Sequence, residues 1–296
     1  MSDRRTLNHE AEKESVYPDL TRLSTINKLM LTHTAETSSE ILSQLADDKS
    51  ERVRTSVAKH NNSEAHVLVA LSCDQNWIVR EAAASNIHCP SEELVRLSED
   101  TPLCVPIAVA GNPGTPDYIL TRMSMSQTWN LRYGVAGNMS APEDALVILA
   151  SDQCSQIRES VSLNIMTPHI ILTKLADDIA ANVRAGVAKN LNTPTLTLVS
   201  MLCSEPRSIV LSNILSRLRS LGPDDWQKGV SCGLSLDSLL PLGASIGDML
   251  LNGGHADIYQ AIQSAQLTLQ IQQSQNSEAY HQHHGIAATS KNNLRM

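Results

Sequence analysis

Asp178-Ile-Ala-Ala-Asn-Val183-Arg184-Ala-Gly-Val187-Ala188-Lys-Asn190-Leu-Asn-Thr193-Pro194 is a repeating unit, because its marks return every 26 residues. An aliphatic residue followed by arginine stands at Val53-Arg54, Val79-Arg80, Leu131-Arg132, Ile157-Arg158 and Val183-Arg184. Six residues before these arginines lie Asp48, Asp74, Asp152 and Asp178, with Ser126 as the exception. Six residues after lie Asn86, Asn138, Asn164 and Asn190, with His60 as the exception. Ten after lie Pro90, Pro142, Pro168 and Pro194, with Glu64 as the exception. So many marks in one register identify tandem repeats.

Each mark has a local reason. Thr115-Pro116, Thr167-Pro168 and Thr193-Pro194 read as a helix N-cap with proline at the first helical position. Apolar runs such as Leu146, Leu149 and Ala150 follow, giving one short helix. The Asp, or a polar residue close to it, starts a second helix that holds the aliphatic–Arg pair. Asn then ends that helix, since it tolerates the left-handed conformation. No unit shows the alternation of a strand. A unit this small cannot bury its apolar face alone, so neighbours stack around a shared core. The expected fold is all-α: an α-solenoid of about six to seven 26-residue two-helix repeats over residues 38–220.

The pattern L-x-x-L-A-x-D, then V-R-x-x-V-A-x-N, then T-P resembles the leucine-rich repeat variant family. The resemblance implies a right-handed superhelix of alternating α and 3₁₀ helices. The type example of that family carries a cysteine cluster holding an iron–sulfur centre before its repeats. This chain has no cysteine before Cys73, so no cofactor is expected. The unit is also similar to a short HEAT repeat, where an Asp and an Arg six apart build a ladder between neighbours. That similarity makes Arg54, Arg80, Arg132, Arg158 and Arg184, with Asp48, Asp74, Asp152 and Asp178, ladder residues of an armadillo-type superhelix.

The bulk numbers fit such a scaffold. Aromatics make up 3% of the 296 residues and Phe is absent, so the core is built from small aliphatics suited to closely stacked short helices. The net charge of −8 disfavours a surface evolved to coat nucleic acid. No signal-peptide pattern opens the chain and no stretch is long and apolar enough to span a bilayer, so a cytoplasmic location and no membrane contact are expected. The six cysteines form no C-x-x-C and read as small buried hydrophobes.

At the start of the chain, residues 1–37 read as a loose polar arm over 1–17 followed by an amphipathic helix or a degenerate first repeat acting as a cap. Residues 221–273 read as a C-terminal helical cap, with Leu234–Leu251 helical apart from Pro241. Residues 274–296, rich in Gln, Asn, Ser and His, read as a disordered tail. The tail cluster of Tyr280, His281, His283 and His284 has metal-binding chemistry, but ordering a floppy segment is costly and no metal site is expected.

Four residues stand out as binding candidates. Trp77 and Trp129 sit two repeats apart, three residues before an Arg, near the start of a second helix. Packing against a neighbouring turn explains them, and so does a role as stacking platforms. The third unit is irregular: Pro106 replaces its Arg, so its helix must start late or kink, and Asp100 loses the usual partner. Local rule-breaking of this kind marks either function or drift. No nucleophile, metal or phosphate-loop motif occurs, and carboxylate pairs such as Asp177-Asp178 are repeat grammar. The sequence therefore favours a non-catalytic scaffold that binds another protein. Its rival is a nucleic-acid-binding protein similar to the HEAT-like DNA glycosylases.

Overall fold

A computed structural model describes residues 20–240 and 243–292, with side chains to residue 277. Among the described residues the chain is helical, with one isolated bridge between Leu239 and Ser245 and no strand. It forms two compact units, up to Ile119 and from Leu120 onward.

The first unit opens with a 3₁₀ turn, Leu20–Arg22, followed by α1 (Thr25–His33), α2 (Ser39–Leu45), α3 (Glu51–Lys59), α4 (Ala65–Ser72), α5 (Trp77–Ser85), α6 (Ser91–Leu97) and α7 (Cys104–Gly111). Helix α8 (Asp117–Ser124) contains the unit boundary. The second unit continues with α9 (Trp129–Gly137), α10 (Glu143–Leu149), α11 (Ser155–Leu163), α12 (His169–Leu175), α13 (Ala181–Lys189), α14 (Thr195–Ser204) and α15 (Ser208–Arg219). Then come α16 (Pro223–Ser231), α17 (Ile246–Asn252) and α18 (Ala256–Asn292).

Each repeat is a pair of short helices, and the second helices pack side by side: α1, α3, α5 and α7 in the first unit, α9, α11, α13 and α15 in the second. This is a helical-repeat solenoid. The pattern of buried residues follows the period. Leu172, Leu175, Val183 and Val187 are almost wholly buried, as are their counterparts Leu146, Leu149, Ile157 and Val161 one repeat earlier. Each contributes up to about 1.5–3 kcal/mol of burial free energy. Gly186 marks how tightly adjacent second helices approach. A Cβ there would lie 1.9 Å from the Ser162 hydroxyl.

Several expectations are corrected. Both helices of a repeat are α-helical, and the one 3₁₀ helix described is Leu20–Arg22, so the alternation implied by the resemblance is absent here. The Asn marks are extended, as at Asn86 (φ −74°, ψ 129°), not left-handed. They end helices by a different device. Asn164 Nδ2 donates to the Ala136 and Asn138 carbonyls of the preceding repeat, both at 2.9 Å, while its Oδ1 accepts from Met166 N–H at 2.9 Å. Asn86 and Asn190 do the same one period away. His60 substitutes for Asn by the same logic: Nε2–H donates to the Thr34 carbonyl at 3.0 Å and Nδ1 accepts from Asn62 N–H at 3.0 Å.

The Thr of Thr-Pro does not cap. Pro168 is itself the residue before α12, and the Thr167 hydroxyl donates back to the Val161 carbonyl at 2.6 Å. That bond gives a last-turn carbonyl of α11 a second donor beside the Asn164 N–H. Proline fits the cap position because it has no N–H to strand there.

The N-terminal helix takes the form of a first repeat, and the C-terminal region differs from expectation. Helix α1 is a repeat helix in register: Lys28 stands where the arginines stand and pairs with Asp48 at 2.5 Å. Residues 1–17, read as a loose arm, lie outside the described residues, as do residues 293–296. Leu234–Leu251 is not one helix. Turns lead to α17 at Ile246, where Ser245 and Asp248 form a capping box. Past residue 273 the backbone does not lose its structure, since α18 continues through Asn292. Its Gln, Ala and Leu residues are good helix formers and no proline interrupts them. The side chains of Tyr280, His281, His283 and His284 lie outside the described ones.

Candidate functional site

The charged row is built first, since it sets the spacing of everything beside it. Arg158 Nε and Nη2 donate to Asp178 at 2.6 and 2.8 Å, in the following repeat. Its Nη1 donates to the carbonyl of Asp152, six residues earlier, at 2.7 Å. One guanidinium thus ties two consecutive repeats, a use that suits its planar fork of donors. Arg54–Asp74, Arg80–Asp100 and Arg132–Asp152 repeat this geometry at 2.5–2.6 Å. Asp48, Asp74, Asp152 and Asp178 also shape the turn into the next helix, as Asp178 Oδ1 accepts from Ala180 N–H at 2.8 Å. Burial disfavours the charged form of Asp178, but Arg158 and the Ala180 N–H outweigh it, so its carboxyl stays below the ordinary range.

Asp100 has a partner after all. Arg80 grips it at 2.6 and 2.9 Å, and chiefly this bond holds its carboxyl low. The expectation of an orphan treated the Arg of its own repeat as the partner, but the pairing runs forward from the repeat before. Pro106 is buried as the third residue of α7, where no intrahelical N–H bond is due. Helix α7 starts one residue later, relative to this position, than α5 does relative to Arg80. The repeat formed by α14 and α15 continues the row, although Ser204 stands at the acidic position 26 residues after Asp178. Glu205 is buried and accepts from Arg184 at 2.6 and 2.8 Å. A one-residue shift in register, with the longer acidic side chain, hid it from the 26-residue comparison.

The row therefore leaves little free positive charge. The side chains of Arg54, Arg80, Arg132, Arg158 and Arg184 are 14–19% exposed, and each is bound by a carboxylate.

Trp77 begins α5 in the first unit and is 38% exposed. Trp129 begins α9 in the second unit, and here the structure assembles more. Its ring stacks on Tyr133 one turn on, centroids 4.9 Å apart and planes 13° from parallel. Its indole N–H points at Cys154 Sγ in the next repeat, 3.0 Å away, which holds that thiol below its ordinary range. The two rings form one wall of an open groove of about 390 Å³ between α9 and α11. Met139, Gln156, Glu159 and Leu163 line the rest. Trp129, Tyr133, Met139 and Leu163 remain 40–51% exposed, so the groove presents a substantial apolar surface to solvent. Glu159 is oriented by Asn182, whose Nδ2 donates to its Oε2 at 2.6 Å.

Sequence reasoning singled out Trp129 but missed Tyr133 and Glu159. The signal for Tyr133 was an aromatic pair at i, i+4 on a helix. Glu159 occupies the position of Tyr133 one repeat later and so faces the same groove. Among the described residues, no group of three or more His, Cys, Asp or Glu is placed to hold a metal, and no helix is long and apolar enough to cross a membrane.

No family model matches the chain, and no curated protein matches it. Solved structures do match. A leucine-rich repeat variant, described as having a novel repetitive structural motif, is 23% identical with a TM-score of 0.43, over 64% of this chain and 82% of that one. The YibA protein of Escherichia coli is 16% identical with a TM-score of 0.44, over 84% and 98%. A computationally designed armadillo repeat protein for modular peptide recognition is 17% identical with a TM-score of 0.22, over 66% and 92%.

Proposed function

We propose that the chain is a non-catalytic scaffold that binds a segment of another protein in the α9–α11 groove. The observation that carries this reading is the stacked Trp129–Tyr133 pair, held by its own contacts yet left about two-fifths exposed at the edge of a 390 Å³ groove. Rigid aromatic surface of this kind gives large contact area at small entropic cost and dominates the energetics of protein interfaces. The surrounding helices are fixed by paired charges and bonded asparagines, so the groove is pre-organised and little ordering cost falls on binding. Six free thiols suit a reducing compartment and support a cytoplasmic setting for this scaffold.

The nucleic-acid reading has less support, because the arginines that would contact phosphate are bound to carboxylates and the chain is acidic. Trp77 and Trp129 as base-stacking platforms would lack that electrostatic support.

Selection from a displayed random-peptide library tests the proposal. Enriched peptides should bind the wild-type protein and lose at least about tenfold in affinity with Trp129→Ala or Tyr133→Leu, since central aromatic anchors are typically worth over 1 kcal/mol. No enrichment, or enrichment indifferent to both substitutions, sinks it. Salt-sensitive binding of labelled single-stranded DNA that depends on Trp77 and Trp129 would favour the rival.

A further inference from the structure

We infer that the α9–α11 groove takes an arginine side chain of its partner, the guanidinium lying against the Trp129–Tyr133 rings and donating to Glu159. This rests on the binding role proposed above and specifies its chemistry.

The groove and a guanidinium are complementary in chemistry. The groove is lined by two aromatic rings and one carboxylate, with no Lys, Arg or His among its lining residues. Aromatic faces carry negative quadrupole potential and attract cations within about 6 Å of the centroid. The rings stack on each other in parallel, so each covers one face of its neighbour and keeps one outer face for a planar cation to lie on. Trp129 has its N–H engaged by Cys154, which fixes the ring without using its exposed face. Glu159 supplies the opposite charge, across the groove, from the same repeat position that Tyr133 holds on α9. Its Oε2 is occupied by Asn182, and this bond sets the carboxylate's orientation.

Guanidinium fits this pair of surfaces better than ammonium does. It is planar, stacks on aromatic faces, is weakly hydrated, and donates in its own plane. A planar cation flat on the rings can therefore direct N–H groups sideways toward a carboxylate. A lysine ammonium offers a compact, strongly hydrated charge that cannot stack. The groove's remaining surface, from Met139 and Leu163, suits the apolar stem of such a side chain, which packs along apolar surface while its head stays polar.

The test uses the full chain labelled with ¹⁵N and follows the indole N–H signals of Trp77, Trp129 and Trp226 by NMR. N-acetyl-arginine amide is titrated, with N-acetyl-lysine amide and N-acetyl-citrulline amide as comparators. The expected result is a saturable shift of the Trp129 signal with arginine, weaker with lysine and absent with the uncharged citrulline. Glu159→Gln keeps a partner for Asn182 and should weaken arginine binding roughly five- to tenfold. Tyr133→Leu provides a second variant that removes half of the stacked surface. It should weaken arginine and leave the helical melting profile close to wild type.

Equal shifts with arginine and citrulline, or none at Trp129, would overturn the assignment. So would shifts spread evenly over all three tryptophans. The peptide selection separates the two proposals. Groove-binding peptides without an enriched arginine overturn the arginine assignment alone. An arginine-specific shift at Trp129 with no enriched peptides leaves the guanidinium site standing and removes the scaffold role.

Discussion

Replacing Arg158 with alanine should destabilise the second unit by about 2–3 kcal/mol, and the size follows from what is left behind. The substitution removes both donors to Asp178 and the donor to the Asp152 carbonyl. The Asp178 carboxylate keeps the Ala180 N–H and the nearby charge of Arg184. One-sided loss of a fully buried pair costs about 3–5 kcal/mol. The two side chains here are 14% and 8% exposed, so water reaches them and lowers the figure. For a unit of this size each kcal/mol moves the midpoint by about 2–4 °C, giving roughly 4–12 °C by circular dichroism. The pH dependence adds an independent check. Folding depresses the Asp178 carboxyl below its ordinary 3.8, so its contribution is fully present above pH 3.8 and disappears as pH falls through the lower folded value. The same direction holds for Asp48, Asp74, Asp100, Asp152 and Glu205. Acid should therefore loosen the rungs together below about pH 4, and Arg158→Ala should show a smaller acid loss because one rung is already gone. An Arg158→Met/Asp178→Leu pair should be more stable than Arg158→Ala, since no charge is left unpaired. A loss under about 0.5 kcal/mol, or strictly additive effects of Arg158→Ala and Asp178→Ala, would refute the ladder as a source of stability.

Other outcomes are expected along the same lines. Asn164→Ala should cost about 1–3 kcal/mol by removing the side-chain donor to the Ala136 and Asn138 carbonyls, of which Asn138 keeps the Ala141 N–H, and by removing the acceptor of the Met166 N–H; Asn164→Asp should cost more at pH 7 by turning a donor into an acceptor facing carbonyls; chemical denaturation at pH 7 and pH 4 should show that excess shrinking in acid. Gly186→Ala should destabilise despite alanine's better helix propensity, because its Cβ meets the Ser162 hydroxyl at 1.9 Å. Adding Ser162→Ala should recover part of the loss, and a Gly186→Ala protein that melts higher than wild type would contradict the close approach. Among the thiols, burial pushes Cys89 and Cys203 up to about 11, whereas the Trp129 N–H lowers Cys154. Iodoacetamide labelling followed by peptide mass spectrometry should modify Cys154 well before Cys89 or Cys203 at pH 8, and slower labelling of Cys154 would show that its thiolate is not stabilised.

The architecture was legible because periodic marks report periodic contacts. Asp, Arg and Asn return together because each bonds across a repeat boundary, so all three must keep one spacing. What those marks do locally was less legible. Asn could end a helix by a left-handed turn or by reaching into the previous repeat, and sequence does not separate the two. The C-terminal region was misread because apolar content around Leu234–Leu251 suits turns packed under a helix as well as a helix itself. The groove was half visible. Trp129 stood out as a rare residue, but Glu159 looks like any exposed helical acid until its position is seen to coincide, one repeat on, with that of Tyr133.

The irregular third repeat is better explained by the forward direction of the ladder than by a site. Each charged step in the row runs about twenty residues onward, from Arg54 to Asp74 and from Arg158 to Asp178. Twenty residues after Pro106 stands Ser126, the one position in the acidic row without a carboxylate. The register therefore drops its cation and its anion at the two ends of a single step, and neither charge is present without the other. Ser126 retains the part of the acidic residue's work that needs no charge. Its hydroxyl accepts from Thr128 N–H at 3.1 Å, as Asp178 accepts from Ala180, and its carbonyl receives Arg132 at 2.8 Å. A half-buried charge without a partner is costly, whereas losing both partners together is nearly neutral. Absence of both partners therefore costs the fold little, and the irregularity needs no site to explain it. The ladder thus accounts for Pro106 and Asp100 without a ligand, and the proposed site rests on Trp129, Tyr133 and Glu159.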